Sequence, residues 1–208
     1  MRLKFVCTDM WAPYLKVIKK KAPQAINVLD RFHIIKHINE AIDRVRRAET
    51  RQYKGTNKAR LLTRSRWPLL KNKVNLTESQ VVKLKVLLMS RLKSVKSYLM
   101  KEDFQRFWKY RSPTWAEKFL KGWIKRTMTS RIEPMKRVAR MLEKHRALLL
   151  NWFRAGGVVS SGRVEGLNLK AKLTMRKSYG FRTVETLQTA LYHTLGKLPE
   201  PKITHRFC

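Results

Sequence analysis

The sequence predicts a mostly α-helical chain with one or two short β-strands at its beginning. Three observations predict it. Apolar residues recur at helical spacing over most of the length, helix-start signals precede those runs, and period-two alternation is confined to the N-terminus. With 208 residues the chain suffices for one sizeable domain or two small ones, and 43% apolar residues supply a core.

Residues 3–8 alternate, then run apolar to Asp9, and read as a strand. Residues 10–21 read as a helix in which Pro13 is tolerable only in the first turn. Residues 25–29 read as a second strand. Asp30 then reads as the N-cap of a long helix to Glu49, with Phe32, Ile35, Ile38, Ile42 and Val45 at helical spacing. The basic stretch 51–60, with Gly55 and Asn57, reads as a loop. Thr77-Glu78-Ser79-Gln80 is a capping box, and Ser112-Pro113 is an N-cap followed by proline at the first helical position. Glu133-Pro134 opens a helix expected to reach Ala155. Gly156-Gly157 and Ser160-Ser161-Gly162 interrupt the chain before a helix over 163–177. Tyr179-Gly180 ends that one, a last helix covers 183–195, and a tail follows from Leu198. A lone strand needs partners, and Met1 directly precedes the first one. The rest of a sheet is therefore expected upstream.

Lys and Arg number 48 against 14 Asp and Glu, a net charge of +34. Such an excess repels itself unless a polyanion neutralises it, and nucleic acid is the polyanion whose counterions are released on binding. An acidic membrane is the rival, disfavoured because the cations are spread along the chain. The apolar cluster 147–153 is too short to cross a bilayer. Two cysteines, Cys7 and Cys208, form no disulfide framework, so a reducing cytoplasm is expected, and the N-terminus lacks a signal peptide.

Most acids have a basic helical neighbour three or four positions away. Glu40 has Arg44, Asp43 has Arg46 and Arg47, and Glu102 has Arg106. Glu117 has Lys121, Glu133 has Lys136 and Arg137, and Glu143 has Arg146. Asp9 and Glu165 lack such a partner, and Asp30 is half explained as a cap. On the helix carrying Glu165, Val164, Leu167, Ala171 and Met175 form an apolar stripe beside Glu165, Asn168, Lys172 and Arg176. A carboxylate flanked by an amide and cations suits a divalent metal next to phosphate, although a chance surface glutamate would look the same. His33 and His37 have the spacing of two zinc ligands without a third. Trp108, Trp115, Trp123 and Trp152 sit among apolar residues and read as core. Gly156-Gly157 lacks the Lys of a nucleotide-binding loop.

The segment Thr8-Asp9-Met10-Trp11-Ala12-Pro13-Tyr14 resembles the region of the second catalytic aspartate in DDE transposases of the ISL-three family. Pro23-Gln24-Ala25 with Val28-Leu29-Asp30-Arg31-Phe32-His33, and then Asp43-Arg44-Val45-Arg46-Arg47, resemble that family's next signature. Val164-Glu165-Gly166-Leu167-Asn168, Lys170 to Lys172 and Tyr179-Gly180-Phe181-Arg182 resemble the segment of the catalytic glutamate. The resemblance implies the C-terminal part of an RNase H-like α/β catalytic domain carrying a large all-helical insertion. On this reading 1–50 is the partial core, 51–158 the insertion, 159–197 the helices with the glutamate and 198–208 the tail.

It further implies catalytic, Mg²⁺-binding (or Mn²⁺-binding) roles for Asp9 and Glu165, with water and then a DNA 3′-hydroxyl attacking phosphodiesters. Asn168, Lys170, Lys172, Arg176, Lys177 and Arg182 are the implied DNA-binding residues, with Asp30 and His33 as auxiliaries. The implied partners are transposon ends, target DNA and further copies in the full-length protein, in the bacterial cytoplasm at the nucleoid. The family's first aspartate has no counterpart before Asp9, so the chain reads as a truncated or split frame, inactive alone. The alternative is a non-catalytic, basic helical protein that binds DNA or RNA.

Overall fold

In a computed structural model, residues 3–157 and 162–196 are described, the side chains at 162–165, 167 and 168 excepted. The chain forms two compact units, Met1–Val159 and Ser160–Cys208. The expected tail over 198–208 lies outside the described residues.

The first unit opens with β1 (Phe5–Thr8), α1 (Ala12–Lys21) and β2 (Ile26–Leu29). The strands pair in parallel, Phe5 with Ile26 through Thr8 with Leu29, and α1 is the crossover. Next come α2 (Arg31–Gln52), α3 (Asn57–Leu62), α4 (Arg66–Leu70), α5 (Glu78–Leu88) and α6 (Lys93–Phe104). After them come α7 (Pro113–Met128), α8 (Glu133–Lys144) and α9 (Arg146–Arg154), with short 3-10 turns at Lys73–Asn75 and Gln105–Lys109. The second unit holds α10 (Gly162–Lys177) and α11 (Val184–Gly196), packed on each other.

The spine is α2, 22 residues and roughly 33 Å long at the usual rise. Its buried stripe is Ile34, Ile38, Ala41, Ile42 and Val45. The predicted stripe was rotated at its start: Phe32 is 61% exposed, and Ile34 occupies the core instead. α3, α4, α6 and α8 pack along α2. The interior continues into an aromatic cluster. Phe104 lies 5.0 Å from Trp123, Phe107 lies 4.9 Å from Trp108 and 5.1 Å from Phe153, and Trp108 lies 5.3 Å from Trp152. Trp123 also donates Nε1–H to the Met100 carbonyl at 3.0 Å, joining α7 to α6.

Three other expectations change. The loop over 51–60 shrinks, because α2 runs on to Gln52 and α3 begins at Asn57, burying Leu62. The single helix from Glu133 breaks at His145. α8 packs against α2 and α7 while α9 packs against β2, and one straight helix cannot serve both. Trp115 is 59% exposed. It sits in the first turn of α7 under the Lys118 ammonium at 5.2 Å, while Ala116 and Leu120 face the core.

Two buried charges close helix ends that the local sequence leaves open. Leu92 precedes α6 and offers no capping oxygen. Glu49, from α2, supplies both: Lys93 N–H donates to Oε1 at 2.6 Å and Ser94 N–H to Oε2 at 2.8 Å. A carboxylate at a helix N-terminus also meets the positive end of the dipole. Lys101 does the converse. Its fully buried Nζ donates to the carbonyls of Leu69, Leu70 and Lys71, at 2.9, 3.2 and 3.4 Å, at the C-terminal end of α4. Burial pushes the Lys101 ammonium down to about 8, opposed by Glu102 and assisted by Lys73.

Replacing Glu49 with Ala strands two donors and is expected to cost about 2–4 kcal/mol in urea unfolding. Glu49→Gln keeps one acceptor and should lose less. For Lys101, the folded value lies below the ordinary 10.5, so between about 8 and 10.5 the unfolded chain binds the extra proton. Stability then rises with pH across that window. The stability difference between the natural chain and Lys101→Met should therefore move towards the natural chain by on the order of 2–3 kcal/mol from pH 8 to pH 10.5. A difference that stays flat would show that Lys101 does not titrate there.

Candidate functional site

The site begins at the carboxyl ends of the two parallel strands, the edge at which open α/β sheets bind ligands. Thr8 and Leu29 are register partners, so Asp9 and Asp30 each follow a paired position. The Asp30 N–H donates to the Thr8 carbonyl at 2.8 Å, extending the ladder by one residue. Thr8 Oγ1 donates to Asn27 Oδ1 at 2.9 Å across the same pair. Behind β2, Asn151 of α9 donates Nδ2–H to the Asn27 carbonyl at 2.8 Å.

The two aspartates differ in what engages them. Asp9 is half-buried, and its Oδ1 accepts from Trp11 N–H at 3.0 Å, a local turn that leads into α1. None of the ion pairs among the described residues reaches it. Asp30 is 3% exposed and caps α2, its Oδ1 accepting from Phe32 N–H at 3.2 Å. Its Oδ2 lies 2.9 Å from His33 Nδ1. Both Asp30 oxygens are thus engaged by its own helix. The rim beyond carries exposed aromatics: Trp11 and Tyr14, edge to face at 4.6 Å, and Phe32.

Glu165 lies on α10 by its backbone, and its side chain falls outside the described residues, as does that of Asn168. Lys170, Lys172, Arg176, Lys177 and Arg182 are all exposed. α10 ends at Lys177, and the turn after it carries Tyr179 and Gly180 at positive φ, 52° and 103°, a conformation glycine adopts without strain. Among the described residues no three acids, histidines or cysteines stand close enough to hold a metal ion. His37 Nδ1 faces Glu40 at 3.7 Å, so the two histidines of α2 each address a separate acid.

Elsewhere the acids serve the structure. Asp43 meets Arg46 at 2.8 Å and Arg47 at 2.7 Å, as spacing predicts. Burial pushes its carboxyl up, but the Arg46 hydrogen bond and the charges of Arg46, Arg47 and Arg66 outweigh that and hold it below the usual range. Glu117 with Lys121 and Glu143 with Arg146, both at 2.9 Å, also match. Glu102 instead pairs with Lys73 at 3.3 Å, while Arg106 and Arg126 take Asp103. Glu40 takes His37 in place of Arg44, and Glu133 takes Arg140 and Arg137.

Comparison with protein families matches residues 1–191 to a transposase family, the DDE type of the ISL-three group. The chain belongs to this transposase family. Among curated relatives, it is 33% identical over 186 residues to a transposase for insertion sequence element IS1001 of Bordetella parapertussis. That alignment covers 88% of this chain and 45% of the relative. It is 26% identical over 202 residues to a transposase for IS1557 of Mycobacterium tuberculosis, covering 86% of this chain and 45% of the relative. The chain thus spans less than half the length of these relatives. No solved structure matches. The family segment takes in both strands, both aspartates and α10. No helix among the described residues of this transposase-family chain is long and apolar enough to cross a membrane.

If Asp30 acts as a cap, Asp30→Ala should lose about 1–2 kcal/mol of stability while Asp30→Asn loses only a few tenths. Thermal unfolding of both variants decides this. Equal losses would place the importance of Asp30 in its negative charge beside His33.

Proposed function

We infer that this chain is the portion of an insertion-sequence transposase that carries the second aspartate and the glutamate of an RNase H-like catalytic domain. The protein would cut and join DNA at transposon ends. The observation that carries the reading is the position of Asp9. It stands at the carboxyl end of a parallel strand, its neighbour Asp30 is committed to capping, and no described cation pairs with it in a chain of net charge +34.

Asp9 and Glu165 would each serve as a carboxylate ligand for Mg²⁺ or Mn²⁺, which would supply Lewis-acid polarisation of a phosphodiester and a nucleophile at neutral pH. Asp9 suits that role in donor chemistry, since a carboxylate oxygen is the preferred ligand of a hard cation. The Trp11 N–H at Oδ1 would fix the orientation of the carboxylate. The exposed Lys170, Lys172, Arg176, Lys177 and Arg182 would grip phosphates on either side of the scissile bond, with Asn168 beside them. His33 and Asp30 would stiffen the strand end from which Asp9 works. Assembly of further copies on paired transposon ends belongs to the same reading, in the bacterial nucleoid.

The reading predicts tight, sequence-tolerant binding to duplex DNA. If six to ten phosphates are contacted, affinity should fall by on the order of 10³ to 10⁵ between 50 and 200 mM salt. Fluorescence anisotropy over a salt series measures the slope, and a flat response would remove the electrostatic basis of the proposal. Electron paramagnetic resonance should detect Mn²⁺ binding that weakens in both Asp9→Asn and Glu165→Gln. The chain alone, with two of the three carboxylates, should nick supercoiled plasmid only at background. Robust metal-dependent nicking by it would mean that the third ligand lies within these 208 residues.

A further inference from the structure

Between α3, α4 and α5 lies a cleft of about 830 Å³, within the range of sites that enclose small organic groups. Arg60, Arg64, Arg66 and Lys83 stand on its walls, and no acidic residue is among the lining side chains. The acids of the first unit pair mostly with other cations. Among the described residues, Arg66 alone of the four has an acid within reach, Asp43 at 3.9 Å, and Asp43 is already held by Arg46 and Arg47.

The cleft also carries a flat apolar surface. Trp67 is 51% exposed, and the Arg66 guanidinium lies 5.0 Å from its ring centroid. Leaving half an indole in water has a cost that packing elsewhere on α4 could have avoided, since neighbouring Leu69 is fully buried. Arg64 adopts φ 55°, a conformation in which a β-carbon is strained and Gly or Asn is the ordinary occupant. The backbone thus tolerates strain that presents an arginine at this corner. Lys83 reaches back to the Arg60 carbonyl at 3.4 Å and ties the α5 wall to α3.

We propose that this cleft binds an unpaired nucleotide of DNA, its base stacked on Trp67 and its flanking phosphates held by Arg60, Arg64, Arg66 and Lys83. The proposal rests on the DNA reading and adds a separate subsite to it, formed by the helices that follow the strand pair. Duplex backbone would satisfy the cations but not the indole, because inside a duplex the faces of each base are covered by its stacked neighbours. An acidic peptide would likewise leave Trp67 without a planar partner. An unpaired base satisfies both, and stacking on an aromatic ring is tolerant of sequence.

The test uses the full chain and two fluorescent probes, a short blunt duplex and the same duplex with an oligo-dT tail. The natural chain should bind the tailed probe on the order of tenfold more tightly. Trp67→Ala should abolish that preference while leaving blunt-duplex affinity within about twofold, and Trp67→Phe, which keeps a ring, should retain most of it. The triple variant Arg60→Ala, Arg64→Ala, Lys83→Ala should weaken the tailed probe more than the blunt one. Thermal melts confirm that the variants fold, as expected for exposed side chains. The proposal is overturned if the natural chain shows no preference, if the preference survives Trp67→Ala, or if Trp67→Ala weakens both probes equally. In each case the wider DNA reading stands. Failure to bind either probe would overturn both.

Discussion

The carboxylate of Glu49 across the first turn of α6 is the contact on which the helical part of this molecule depends. Without it two N–H groups of the first turn, that of Ser94 buried, would lose their acceptor, because Leu92 cannot cap its own helix. The carboxylate comes from α2, so satisfying α6 also fixes α6 against α2. Lys101 repeats the logic at the other pole. It rises from α6 to close the C-terminal end of α4, whose five residues could not organise their own carbonyls. Three helices are thereby locked by two charges, each placed where a helix dipole favours it. Such contacts specify an arrangement as much as they stabilise it: an apolar residue at either position would pack, but would leave the helix ends unpaired.

That arrangement reaches the candidate site through α2. Asp30 caps its N-terminus and is also the residue immediately after β2, so the position of the helix sets the end of the strand. Pairing transmits it to β1, and the turn at Trp11 transmits it to Asp9. Two strands alone are marginal in water. Here α9 covers β2, is pinned by Asn151, and is held in turn by Trp152 and Phe153 in the aromatic cluster. The candidate carboxylate of Asp9, at the end of an otherwise weak pair of strands, is therefore positioned by the packing of α2 and α9.

What the sequence disclosed, and what it did not, follows the range of the interactions. Asp30, Thr77 and Ser112-Pro113 were legible as helix starts because a cap is settled within four residues. Asp43, Glu117 and Glu143 were legible because their partners lie one helical turn away. Glu49 was not, since its partners lie more than forty residues along the chain. For the same reason spacing gave Glu102 to Arg106 where the structure pairs it with Lys73, and kept α8 and α9 as one helix, whose break is dictated by β2 and α2. Asp9 was legible as an acid at a strand end without a basic neighbour one helical turn away. The Trp67 cleft was not, because it joins residues from three helices, although a basic run beside an unassigned tryptophan was its trace in the sequence.

The distribution of the few acids bears on why so basic a chain folds. The acids of the first unit are concentrated where they close helix ends or hold arginines in register, as Glu49, Asp30, Asp43 and Glu117 do. Little negative charge remains to neutralise the exposed cations of α10, of the turn at Arg182 and of the cleft around Arg60. Their mutual repulsion opposes the compact state. A polyanion that binds those surfaces only when they are assembled removes the repulsion and stabilises the fold by mass action. Structure and binding would then be coupled through one quantity. The acids make the architecture specific, and the cations they leave unneutralised leave its stability open to any polyanion that binds them.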